Sequence, residues 1–162
     1  GDEVIVLPGN QRSSIKSIMG MNGLQEEAFA PQSISLELTD EVDVSRGKML
    51  VKPNNQPEEL RHISAMICWM SSQAYNPGRK YILRHTTNEV KAMVKAILYV
   101  YDMETLKREE GRTDLQVNDI ARIDLHLAGP IFTDAYRKNK ATGSFILIDE
   151  QSNQTLAVGM IS

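Results

Sequence analysis

A chain of 162 residues with 41% apolar and 24% charged side chains has the composition of a globular protein, long enough for one ordinary domain or two small ones. Its formal net charge of −3 argues against a nucleic-acid module, and no apolar run reaches the ~20 residues of a membrane-spanning helix. The single cysteine, Cys68, excludes an internal disulfide and a multi-cysteine metal site, and is compatible with a reducing, cytoplasmic setting.

Taken in chain order, strand signals dominate. Val4–Leu7 is apolar and β-branched, and Pro8-Gly9-Asn10 turns it. Ser14–Met19 follows, closed by the turn dipeptide Asn22-Gly23. Residues Ser33–Leu38 alternate, placing Ile34, Leu36 and Leu38 on one face of a half-buried strand. Arg46-Gly47 bends the chain into Met49–Val51. The polar stretch Lys52-Pro53-Asn54-Asn55-Gln56-Pro57 carries two prolines and reads as a linker, so the chain divides into residues 1–51, a linker 52–58 and residues 59–162. Strands are then expected at His62–Met70, Lys80–His85 and Asp119–Leu127, the last ended by Gly129-Pro130. Val90–Tyr101 contains helix formers, but Ile97-Leu98-Tyr99-Val100-Tyr101 is β-rich and no capping box precedes the stretch, so it too reads as strand. Ser144–Ile148 and Thr155–Ile161 flank the polar turn Asp149–Gln154, after a tight corner at Ala141-Thr142-Gly143. The fold class is all-β, built as two small antiparallel β-barrels.

Catalytic machinery is not evident. There is no phosphate-binding G-x-x-x-x-G-K-[ST] loop, and Asn139-Lys140-Ala141-Thr142 lacks the aspartate that a guanine-reading N-K-x-D motif requires. His62, His85 and His126 lack ligand spacing in sequence and read as surface or hydrogen-bonded imidazoles. Cys68, in an apolar strand beside Trp69, reads as a buried inert thiol. The acidic group Asp40, Glu41 and Asp43 matches no calcium loop and reads as a solvated turn. Arg137-Lys138-Asn139-Lys140, next to Tyr136, either contacts a phosphate or acidic partner or is a charged loop that blunts a sheet edge. No catalytic, cofactor-binding or metal residue is assigned.

Six strings carry a family resemblance: G-D-E-V-I-V-L-P at Gly1–Pro8, R-S-S-I-K-S-I at Arg12–Ile18, E-E-A-F-A-P-Q-S-I at Glu26–Ile34, D-E-V-D-V-S-R-G at Asp40–Gly47, P-G-R-K-Y-I-L-R-H at Pro77–His85, and N-K-A-T-G-S-F-I-L-I-D at Asn139–Asp149. Together they make the chain resemble the GTPase-type large subunit of bacterial sulfate adenylyltransferase, an elongation-factor-Tu-like protein. Pro31 stands where that family usually has glycine, and the Arg46-Gly47 pair recurs more widely in translation GTPases.

The resemblance implies a first barrel like translation-factor domain II, lacking its first strands, and a second like domain III. It implies that the GTPase domain lies outside this sequence, which begins inside a strand like an excised piece of a longer chain. The full protein would use GTP and magnesium, with ATP bound at a smaller partner subunit, and couple GTP hydrolysis to forming adenosine 5′-phosphosulfate. This region would have no activity of its own and would contact the small subunit of the heterodimer and its own GTPase domain, with no nucleic acid or membrane partner. Structural or partner-contact roles are expected for Arg46, Gly47, Tyr136, Arg137, Asn139, Thr142 and Gly143. The alternative is domains II and III of a translation GTPase that binds tRNA or a protein factor. A barrel without its first strands is expected to leave residues 1–51 frayed, or completed through the open edge by a second copy.

Overall fold

The computed structural model describes residues 1–162, which form two compact units, Gly1–Gln56 and Pro57–Ser162. Both are built of antiparallel strands, with no helix.

The first unit contains β1 (Glu3–Leu7), β2 (Gln11–Gly20), β3 (Gly23–Gln25), β4 (Ser35–Leu38) and β5 (Met49–Val51). The sheet order is β3-β2-β1-β5, and β4 also pairs with β2. Val4, Ile5, Val6 and Leu7 are all buried, as an unbroken apolar run predicts. The chain is clipped at Ser13, whose hydroxyl donates to Asp40 Oδ2 at 2.8 Å, and at Lys48, whose ammonium donates to Asp43 Oδ2 at 2.6 Å.

Two expectations change here. β1 is not an edge: it pairs with β2 on one side and with β5 on the other, from Ile5↔Val51 to Leu7↔Met49. The start of the chain is therefore paired within its own sheet rather than frayed. The face of Ile34, Leu36 and Leu38 is also not a buried one, since Ile34 and Leu36 are exposed. A unit this small, with short outer strands, has too little chain to cover both faces of its sheet. Met21 (99% exposed), Leu24 (73%) and Phe29 (65%) add to the uncovered apolar surface.

The second unit contains β6 (Glu58–Trp69), β7 (Lys80–His85), β8 (Asn88–Tyr101), β9 (Arg108–Glu109), β10 (Ile120–Thr133), β11 (Ser144–Ile148) and β12 (Thr155–Ile161). Strand order runs β10-β6-β12-β11-β7-β8, and β8 pairs back onto β10. Six strands thus close into a barrel, which leaves no free edge in the ring, and β9 adds to β8. The alternation read along Asp119–Leu127 is the barrel wall: Ala121, Ile123, Leu125 and Leu127 face the core, opposite Ile63, Ala65, Ile67 and Trp69 of β6. At the core, Trp69 is fully buried with Tyr75 and Tyr81 edge-on at 5.9 and 6.0 Å, and its indole N–H donates to the Gln73 carbonyl at 3.0 Å. Val90–Tyr101 lies wholly within the strand β8.

Gly129-Pro130 does not end β10. Its ladder to β6 is interrupted between His126 and Ile131 and then resumes to Thr133. A proline is tolerated at such an irregularity because no ladder N–H is required of it there. Cys68, expected to be buried, is only half-buried and pairs with Val158 on the outward parity of β6, whereas its neighbour Trp69 points in.

Candidate functional site

The corner between β10 and β11 organises the outer wall of the second barrel. Tyr136 N–H donates to the Ile161 carbonyl at 2.9 Å, Gly143 N–H to the Asn139 carbonyl at 2.8 Å, and Ile161 N–H to the Gly143 carbonyl at 2.8 Å. The Asn139 side chain accepts from Ala141 N–H at 3.0 Å. Gly143 has to be glycine, because a Cβ there would lie 2.5 Å from the Tyr136 nitrogen and 2.7 Å from the Asn139 oxygen. Thr142 Oγ1 donates to Asp134 Oδ2 at 2.8 Å, and its carbonyl accepts from Thr133 Oγ1 at 2.5 Å. Lys138 pairs with Asp134 at 2.6 Å, and that contact is the main cause holding the Asp134 carboxyl below its ordinary value. Asn139, Thr142 and Gly143 therefore shape the loop, and Tyr136 and Arg137 are what it presents. The six-stranded ring itself leaves no free edge beside the basic run, and the short strand β9 is the sheet's outermost strand.

His85 completes this corner. It is 1% exposed, and its Nε2 lies 2.6 Å from the Thr142 carbonyl, so Nε2 carries the proton and donates. Burial lowers its pKa below the ordinary 6.5, partly offset by that hydrogen bond. A lowered histidine pKa means the unfolded chain takes up a proton that the folded chain resists. The stabilisation is complete above about pH 6.5 and is lost as pH falls from there toward the folded value. Urea titrations from pH 7.5 to 5.5 are expected to show falling stability, with a flatter profile in His85→Gln; parallel profiles would contradict the assignment.

Beside the corner lies an open groove of about 770 Å³, lined by Met66, Tyr99, Tyr101, Arg108, Arg122, Tyr136, Arg137 and Met160 among others. Strand register builds it: Arg122 stands opposite Tyr99 of β8 and Met66 of β6, and Met66 opposite Met160 of β12. Arg122 Nε donates to Ser64 Oγ at 3.0 Å, and the same guanidinium also donates to the Ser162 hydroxyl. Arg108 caps the Tyr99 ring, 4.6 Å from its centroid, and Tyr101 packs edge-on to Tyr99 at 5.4 Å. Hydrogen bonding with Arg108, then with Tyr99, lowers the Tyr101 phenol pKa below its ordinary value.

The groove's charge is unbalanced. Arg12, Arg79, Arg84 and Arg112 each have a carboxylate within 4.0 Å, whereas Arg108, Arg122 and Arg137 have none, and no carboxylate side chain lines the groove.

Of the residues singled out from sequence, Tyr136 and Arg137 line the groove and Asn139, Thr142 and Gly143 hold its wall. Arg46 is exposed in the turn before β5 of the first unit, where Gly47 takes φ 96°, a conformation that favours glycine. Met66, Tyr99, Tyr101, Arg108 and Arg122 were not anticipated. The one available signal was Arg122 on the outward parity of β10, with Asp124 and His126. The fold also joins His62 and His126, remote in sequence, with their Nδ1 atoms 3.3 Å apart, but no group of three or more histidine, cysteine or acidic side chains is placed to hold a metal.

A family model described as GTP-eEF1A C-terminal domain-like matches residues 62–162. The chain is 42% identical over 99% of its length to the bifunctional enzyme CysN/CysC of Mycobacterium tuberculosis. It is 42% and 43% identical, over the same share, to sulfate adenylyltransferase subunit 1 of Bacteroides thetaiotaomicron and of Bacteroides fragilis. It spans 26% of the first of these and about a third of the other two, 35% and 34%. The crystal structure of sup35 complexed with GDP superposes with a TM-score of 0.86 at 18% identity, covering 99% of this chain and 40% of that one. The family model and the structural superposition agree with the all-β, elongation-factor-like architecture expected from sequence.

Proposed function

We propose, from the premise that the chain belongs to the GTP-eEF1A C-terminal domain-like family, that it is the non-catalytic two-barrel region of a sulfate adenylyltransferase large subunit. The observation that carries this reading is similarity along 99% of the chain to proteins named for that subunit. In the full protein, a GTPase domain would bind GTP and magnesium. A smaller subunit would bind ATP and sulfate and form adenosine 5′-phosphosulfate, in the cytoplasm.

This region's own contribution is mechanical. A closed barrel is stiff because every strand in the ring is paired on both sides, so a surface on its wall keeps its geometry while its partners move. The uncovered apolar side chains of the first unit, Met21, Leu24 and Phe29 foremost, supply area for packing against the rest of a longer protein or a partner. Domains of a translation GTPase would share the fold, and the 18% identity to sup35 supports no more than that.

The test is affinity capture with the tagged chain, offering the purified small sulfate adenylyltransferase subunit and, separately, tRNA. Retention of the small subunit alone is expected. Retention of tRNA without the small subunit would overturn the reading.

A further inference from the structure

We infer that the groove on the second barrel is a docking site for an extended acidic segment of another protein, whose carboxylates pair with Arg108, Arg122 and Arg137. This deepens the scaffold reading above and rests on it for the identity of the partner, though not for the chemistry of the site.

Charge is the first argument. Four of the nine arginines have a carboxylate within 4.0 Å; of the five that do not, Arg46 and Arg61 do not line the groove, whereas Arg108, Arg122 and Arg137 gather three guanidiniums around it without a counter-ion in a protein of net charge −3. Their forks suit bidentate pairing with carboxylates. Glu110, two residues from Arg108, acts on it only as the weakest of several influences and does not line the groove.

Shape is the second. Tyr99, Arg122, Met66 and Met160 form a row across β8, β10, β6 and β12. Three strand spacings of ~4.8 Å make about 14 Å, the length of four or five extended residues at ~3.3 Å each. The row mixes a guanidinium with thioethers and an aromatic ring, so it suits a chain that carries both carboxylates and aliphatic groups. Tyr, Arg and Met are the residue types enriched at protein interfaces. Arg122 is already oriented by Ser64 and Ser162, so less side-chain freedom is lost on binding.

The same details disfavour nucleic acid. Successive bases need several open aromatic faces, but Arg108 already covers that of Tyr99 with Tyr101 edge-on beside it, which leaves Tyr136 as the one ring of the groove without an aromatic or cationic partner. The groove is walled by strands in a molecule without helices, so no helix N-terminus offers backbone N–H groups to a phosphate.

The experiment titrates the chain with the peptide acetyl-Glu-Leu-Glu-Leu-Glu-Gly, following amide chemical shifts. The Gln-for-Glu peptide, inorganic phosphate and a uridine 12-mer RNA serve as comparison probes. The Glu peptide is expected to shift residues of the groove, to bind more weakly as salt rises, and to lose roughly three- to tenfold in affinity with each of Arg108→Gln, Arg122→Gln and Arg137→Gln. Unchanged thermal midpoints for the exposed Arg108→Gln and Arg137→Gln keep the result independent of folding. Equal binding of the Gln peptide, tighter binding of RNA or phosphate, or shifts confined to other surfaces would overturn the inference. Capture of the small subunit, run on the unmodified chain and on the triple variant, separates the two claims. Small-subunit capture unaffected by the triple substitution, with no peptide binding, sinks the groove and spares the scaffold reading. Peptide binding at the groove without capture of the small subunit sinks that partner and spares the groove.

Discussion

Trp69→Ala is expected to cost the second barrel about 3–5 kcal/mol, the usual range for removing a fully buried large aromatic. The loss has three parts. The indole is fully buried among Ile67, Leu115 and the inward residues of β10. Its edge-on contacts with Tyr75 and Tyr81 disappear together. The Gln73 carbonyl loses the N–H that satisfies it. Circular dichroism during urea and thermal unfolding gives the readout, because Trp69 is the sole tryptophan and its fluorescence vanishes with it. A fall in the thermal midpoint of more than about 10 °C is expected. A loss below about 1 kcal/mol would mean the barrel is not closed around this side chain.

Gly159→Ala is the second large effect, about 1–3 kcal/mol from overpacking. Gly159 on β12 stands directly opposite Phe145 on β11, and an added Cβ would lie 2.7 Å from ring carbon Cε2. Glycine is needed here for space rather than for an unusual φ. That makes a double-mutant cycle decisive. Phe145→Leu alone leaves a gap, but the new methyl at position 159 can use it, so the two substitutions together should cost less than their sum by about 0.5–3 kcal/mol. Strict additivity would contradict the packing described.

Where local chemistry decides structure, these elements could be read before folding. Lys80–His85, Ser144–Ile148 and Thr155–Ile161 are short, largely apolar runs bounded by turns, and they are the strands observed. Ile97–Tyr101 settled the ambiguous stretch before it, because β-branched and aromatic side chains pack on a pleated wall whatever helix formers precede them. Features that depend on distant partners were not legible. Gly129-Pro130 reads as a stop until β6 is alongside to resume pairing at Ile131. Ile34 and Leu36 read as half-buried until the size of the unit shows that nothing within it covers them. The groove divides in the same way. Tyr136 and Arg137 stand out as a loop motif, whereas Arg108 and Arg122 are ordinary polar positions until register sets β9 and β10 beside β8.

Under the proposed scaffold role, this chain would supply shape and contact while chemistry resides elsewhere. Incubating the purified chain with GTP, and separately with ATP, sulfate and magnesium, and following phosphate and pyrophosphate release tests that most directly. No release above the protein-free rate is predicted, and saturable turnover that co-purifies with the chain would contradict it.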